Sequence, residues 1–145
     1  MGLLIDTGVF IDWEKSGGSI RFSNWNRLGN PYVSVITESE LWVGVYRANS
    51  DRRRETRSRF VSTILAHVVV LPIDSKIAQI HASIVAQLSQ SGRTIGAHDA
   101  WIAATAFRHN YDLLTTNASE FERVPGLRVH DFLATEQSEG HSDSG

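Results

Sequence analysis

The sequence predicts an α/β domain in three layers: a central, mainly parallel sheet of four to five strands with helices on both faces. Three observations carry that expectation. Short apolar or β-branched runs alternate with longer segments of helical periodicity, the pattern of strands joined by helical crossovers. The 145 residues suit one core, so residues 1–133 are assigned to a single domain. Polar residues gather directly after the predicted strands, at the carboxyl ends where open α/β sheets collect their ligands.

The elements follow in order. Gly2 to Ile5 is a short apolar run, read as a buried strand that delivers Asp6-Thr7 to its carboxyl end. Val9 to Trp13 is helical, Gly17-Gly18 breaks the helix, and Ile20 to Leu28 resumes helical character before Gly29-Asn30-Pro31. Tyr32 to Ile36 reads as a second strand, and Thr37-Glu38-Ser39-Glu40 as a capping box opening a helix with Leu41, Val45 and Ala48 on one face. After the break at Asn49-Ser50-Asp51, Arg52 to Leu65 is a polar helix, His67 to Leu71 a strand, and Pro72 a stop. Asp74 caps the next helix, Lys76 to Gln90, whose Ile77, Ile80, Ile84 and Leu88 fall at helical spacing until Ser91-Gly92.

Thr94 to Phe107 is an apolar helix with one carboxylate, Asp99, on the stripe of Ile102, Ala103 and Ala106 that should face the core. A carboxylate there must be neutralised, paired or bound to metal. Tyr111 to Thr115 is a fourth strand leading to Thr116-Asn117, a helical turn holds Phe121, and Leu127 to His130 is a fifth strand. Residues 134–145 are polar, lack an apolar anchor and read as a disordered tail.

Each acid has a structural explanation beside a chemical one. Asp6 is a good N-cap, and Asn117 an acceptable one. Glu40, three residues after Thr37, fits a capping box, which on local grounds is favoured over a catalytic role. Asp99 near a helix start is favoured by the helix dipole. Three carboxylates on one rim nevertheless repel one another unless a cation lies between them. With no cysteine in the chain and no zinc-like histidine pair, the hard oxygen donors Asp6, Glu40 and Asp99 point to Mg²⁺, with Mn²⁺ as the substitute.

The same residues resemble a known family, the PIN domain, and within it the VapC-type toxins of bacterial and archaeal toxin-antitoxin pairs. Leu4-Ile5-Asp6-Thr7 is similar to the family's first strand and acid, and Thr37-Glu38-Ser39-Glu40-Leu41 to its T-x-x-E-L segment. Ala97 to Ala106 is similar to its central D-x-x-I-A-A-T-A helix, and Leu113 to Phe121 to its T-x-[DN]-x-x-x-F block. The resemblance covers roughly the first 130 residues. It implies a PIN-like fold and a metal-dependent endoribonuclease in which Asp6, Glu40, Asp99 and Asn117 are catalytic and the first three hold the metal. Many members carry a fourth Asp where this chain has Asn117, with Glu120 one helical turn later, so the completing group is open between them. Thr7, Thr116 and Glu120 form a supporting shell. The resemblance also implies an RNA substrate, a small cognate antitoxin and a homodimer.

Arg47, Arg52, Arg53, Arg54, Arg57 and Arg59 supply six of the 14 Lys and Arg residues in one short segment. Phosphate contact by Arg52, Arg53, Arg54 and Arg57 is set against a merely solvated polar helix. His98, beside Asp99, reads as an ordinary surface histidine. No apolar run approaches bilayer length and no signal segment precedes the first strand, which points to the cytoplasm without a membrane partner. The alternatives are a PIN-like nuclease of RNA processing, a DNA-directed nuclease of the same fold, and a small Mg²⁺-dependent α/β phosphatase. The last of these wants a second acid two residues after the first, where Gly8 stands.

Overall fold

The computed structural model describes residues 1–17 and 22–134. Five parallel strands form the sheet: β1 (Gly2–Ile5), β2 (Asn30–Ser34), β3 (Val69–Leu71), β4 (Asp112–Thr115) and β5 (Val129–Asp131), in spatial order β3-β2-β1-β4-β5. The chain steps from β1 outward to β3, then crosses back over β1 to reach β4. That reversal has a structural consequence. Right-handed crossovers made in opposite directions put their helices on opposite faces. The helices α1 (Thr7–Lys15), α2 (Val35–Tyr46) and α3 (Asp51–His67) accordingly pack on one face, and α4 (Ser75–Gln90) and α5 (Ala97–His109) on the other.

Strand alternation feeds both cores. Leu3 and Ile5 join Val9, Phe10, Trp13, Leu41, Val45 and Ile64, whereas Leu4 joins Ile77, Ile84, Ile102, Ala103 and Leu113. Residues on both faces of β1 are fully buried, as a covered parallel sheet requires. The reversal also makes the gap between β1 and β4 the topological switch point, and the site lies at its carboxyl edge.

The predicted elements are present, with four corrections: His67, read as opening the third strand, is the last residue of α3, the helix read from Thr94 begins at Ala97, and two concern the segments before α2. Residues 22–28 form a 3₁₀ helix, Phe22–Leu28, instead of a regular α-helix, and the expected start at Ile20 lies outside the described residues. The second strand runs Asn30–Ser34, two residues earlier than read, because the helix begins at Val35 with Ser34 as N-cap: its side chain accepts from Ile36 N at 3.1 Å. Thr37 and Glu40 therefore lie inside α2, and the capping-box reading is overturned. Asp74 caps α4 as expected, accepting from Ile77 N at 2.8 Å. A four-residue helix α6 (Ala118–Phe121) carries Phe121 into the core. The expected tail, apart from Ala134, lies outside the described residues. Among the described residues no helix is long and apolar enough to cross a membrane.

Candidate functional site

Asp6 follows β1 directly and caps α1. Its Oδ1 accepts from the Thr7 amide at 2.8 Å, and its Oδ2 accepts from the Thr115 hydroxyl, also at 2.8 Å. The parallel register explains the second bond: Ile5 pairs with Leu114, so the next residues, Asp6 and Thr115, emerge side by side. Thr115 also accepts from the Asn117 amide at 3.0 Å. With Asp6 only 6% exposed, burial pushes its carboxyl above the usual range, against the pull of the Thr115 and Thr7 bonds.

Glu40 comes from the second turn of α2. Its Oε1 accepts from the Thr7 hydroxyl at 3.0 Å, and its Oε2 lies 3.6 Å from His98 Nδ1. Thr7 Oγ1 also lies 3.1 Å from the hydroxyl of Thr37. Asp99 comes from the first turn of α5, where burial first and then the charges of Asp6 and Glu120 raise its carboxyl to about 7. It shares a hydrogen bond with Glu120, whose own carboxyl is lowered, chiefly by the Gly96 amide donating to its Oε1 at 2.6 Å. The two neighbouring carboxyls are shifted in opposite directions, Asp99 up and Glu120 down. Four acids from four separate segments thus share one rim, and Asp6, Glu40 and Glu120 each raise the cost of ionising Asp99.

The Asn117 side-chain amide donates to Glu120 Oε2 and so orients a carboxylate beside Asp99. Arg123 donates to Thr94 O at 2.8 Å and holds the loop leading to Gly96. A Cβ on Gly96 would meet Glu120 Oε1 at 3.5 Å and Asp99 Oδ2 at 3.7 Å, ordinary contacts, so Gly96 contributes its amide rather than its lack of a side chain. A Cβ on Gly8 would lie 2.3 Å from Thr116 Oγ1, so the Thr116 hydroxyl packs on the α1 turn. The same approach leaves no room for a second acid at position 8, the arrangement a phosphatase of this class wants.

The sequence missed Thr115, Thr37 and Gly96. For Thr115 a signal existed, because a hydroxyl ending a strand beside the first acid is placed by parallel register. The Gly96–Glu120 contact joins positions 24 residues apart and left no local trace.

The arginines lie along α3. Arg57 reaches Glu14 at 3.3 Å and donates to Gly44 O at 3.0 Å, Arg54 donates to Ala48 O at 3.1 Å and to Asp51 at 2.9 Å, and Arg53 donates to Asn49 at 3.0 Å. Arg54 and Arg57 thereby satisfy carbonyls at the C-terminal end of α2, where positive charge also suits the helix dipole. Glu14 is at the end of α1 opposite Asp6, so the structure does not bring these arginines to the acids. With Glu14, Ser50 and Thr56, Arg52, Arg53 and Arg57 line a separate cleft of about 470 Å³.

The donor chemistry fits a hard divalent cation: carboxylates alone, partly buried and mutually repelling. Among the described residues no three acidic or histidine side chains are placed closely enough to hold an ion together, so binding one requires these carboxylates to draw nearer to each other.

The PIN domain family matches residues 3–127. The chain is similar to Ribonuclease VapC1 of Rickettsia felis, 37% identical over 129 residues that span 89% of this chain and 95% of the relative. It is also similar to the tRNA(fMet)-specific endonuclease VapC of Shigella flexneri, 32% identical over 130 residues, 89% and 96% of the two chains. Among solved structures, VapBC-1 from nontypeable Haemophilus influenzae superposes with a TM-score of 0.80 at 28% identity, covering 92% of this chain and 99% of that one.

Proposed function

We propose, because the chain belongs to the PIN-domain family and within it to the VapC ribonucleases, that it is the toxin of a toxin-antitoxin pair, an endoribonuclease hydrolysing RNA phosphodiesters with Mg²⁺ or Mn²⁺. The observation that supports the metal dependence is the convergence of Asp6, Glu40, Asp99 and Glu120 from four segments on one rim, where the other three each add to the cost of ionising Asp99. Asp6, Glu40 and Asp99 would hold the cation, with Glu120 beside them oriented by Asn117.

When bound, the cation supplies Lewis-acid polarisation of the phosphodiester and lowers the pKa of water. The residues supply the rest. Thr115 and the Thr7 amide fix both oxygens of Asp6, Thr7 fixes one oxygen of Glu40, and the Gly96 amide with Asn117 fixes Glu120. Such locking limits the reorganisation that chemistry would otherwise require. Asp99, whose carboxyl is raised by burial and by the neighbouring acids, would have to give up its proton to serve as a ligand. Glu120, ionised and adjacent, would accept the proton released by attacking water and, once protonated or through solvent, return a proton to the leaving oxygen as its bond to phosphorus breaks.

The test is to incubate the protein with total RNA, including tRNA, and map new 5′ ends. Cleavage is expected with Mg²⁺ or Mn²⁺, and neither in EDTA nor with Asp99→Asn. EDTA-resistant cleavage overturns the metal reading, and cleavage of DNA alone overturns the substrate class.

A further inference from the structure

Thr37 is fully buried, and its hydroxyl lies 3.1 Å from Thr7 Oγ1, which in turn lies 3.0 Å from Glu40 Oε1. Thr7 has one hydroxyl proton and two oxygens within reach. A carboxylate can only accept, whereas a hydroxyl can donate or accept. If the Thr7 proton pointed at Thr37, Glu40 would lose its donor and the buried Thr37 proton would need another acceptor. Both groups are satisfied when Thr37 donates to Thr7 and Thr7 donates to Glu40. The geometry assigns Thr37 as a positioning residue that acts through Thr7 to hold the Glu40 carboxylate toward the shared rim.

The placement within the fold favours this assignment. Thr37 and Glu40 are three residues apart on α2, so their side chains sit one turn apart on one face. Thr7, the first residue of α1, inserts its hydroxyl between them. The relay therefore ties α2 to α1 beside Asp6. A valine at position 37 keeps the branching and nearly the shape while deleting the donor.

The inference rests on the reading of Glu40 as a metal ligand, and the experiment separates the two. Mn²⁺ binding to the full chain is measured by calorimetry, alongside steady-state RNA cleavage at sub-saturating Mn²⁺. Thr37→Val is expected to weaken Mn²⁺ binding about fivefold, the worth of one hydrogen bond, and to lower kcat with KM for RNA unchanged. Thr37→Ser, which keeps the hydroxyl, is expected to bind Mn²⁺ like the parent. Thr7→Val is expected to weaken binding roughly 10-fold or more. Adding Thr37→Val to Thr7→Val should cost nothing further, because the relay is already cut. A Thr37→Val protein with parental Mn²⁺ affinity overturns the inference, as does an equal loss in both backgrounds. If Glu40→Gln keeps parental affinity and cleavage, the ligand reading itself fails. If Glu40→Gln loses both while Thr37→Val loses neither, only the role of Thr37 fails. One measurement needs no folded variant: the slowly exchanging Thr37 hydroxyl proton should shift in the NMR spectrum on adding Mg²⁺, and an unmoved signal counts against the relay.

Discussion

Asp99 titrates at about 7, and this sets how the metal-free fold responds to pH. A raised acid binds its proton in the folded state where the unfolded chain has already released it. Its contribution to stability is therefore full below pH 3.8 and is lost as pH rises toward 7. Asp6, raised by burial, acts in the same direction. Glu120 and Asp112 are shifted down, so their contribution is present above their ordinary values and lost only at lower pH. His81, shifted down by burial, opposes Asp99 within the same range. Comparison of variants isolates the Asp99 part: in EDTA, the parent minus Asp99→Asn difference in urea-unfolding free energy should fall between pH 5 and 7. A flat difference would show that Asp99 is not the raised group. Glu40→Gln belongs to the same scale. It should abolish cleavage without loss of stability, because Glu40 caps no helix, and a loss of about 1 kcal/mol with activity intact would restore the capping reading.

The capping residue of α2 is where sequence and structure part most clearly at the scale of elements. Val35 and Ile36 are β-branched and extend a strand pattern, and Thr37 with Glu40 matches a helix-start signature. Ser34 takes the cap because the sheet ends with its pairing to Leu71. Ser34→Ala should therefore destabilise the fold by about 1 kcal/mol in urea denaturation. The order of strands and helices, the burial of Leu3 to Ile5, and Asp6, Glu40 and Asp99 on one rim were legible, since each follows from periodicity or from placement after a strand. The 3₁₀ helix was not, because Ser23, Asn24 and Asn26 offer competing local hydrogen bonds that periodicity ignores. The anchoring of Glu120 was not legible either, because it depends on the amide of Gly96 from another loop. The arginines of α3 make a prediction at the same scale. Arg57→Gln removes bonds to Glu14 and Gly44 and should cost about 1 kcal/mol of stability. Arg52→Gln, on an exposed residue, should leave stability within about 0.5 kcal/mol. If Arg52 and Arg53 bind RNA phosphates, replacing them should flatten the slope of log affinity against log salt by roughly 0.7 for each phosphate no longer neutralised. An unchanged slope makes the segment a structural clamp on α2.

For the molecule as a whole, the chain carries a net charge of −2 and gathers four carboxyls at one switch point, a field that favours a cation and opposes a phosphate backbone. An antitoxin can exploit the same preference. A guanidinium inserted among these acids would form bidentate bonds with a carboxylate and occupy the place of the metal. Antitoxin and Mn²⁺ would then exclude each other, and linkage makes that competition reciprocal. The expected result, with the purified complex, is that the apparent antitoxin Kd rises roughly tenfold for each tenfold increase of Mn²⁺ above its own Kd. The full-length antitoxin and one with its inserted arginine changed to glutamine should differ in this respect, the second losing its sensitivity to Mn²⁺. Inhibition indifferent to Mn²⁺ in both would place the antitoxin elsewhere, blocking RNA access without entering the carboxylate cluster.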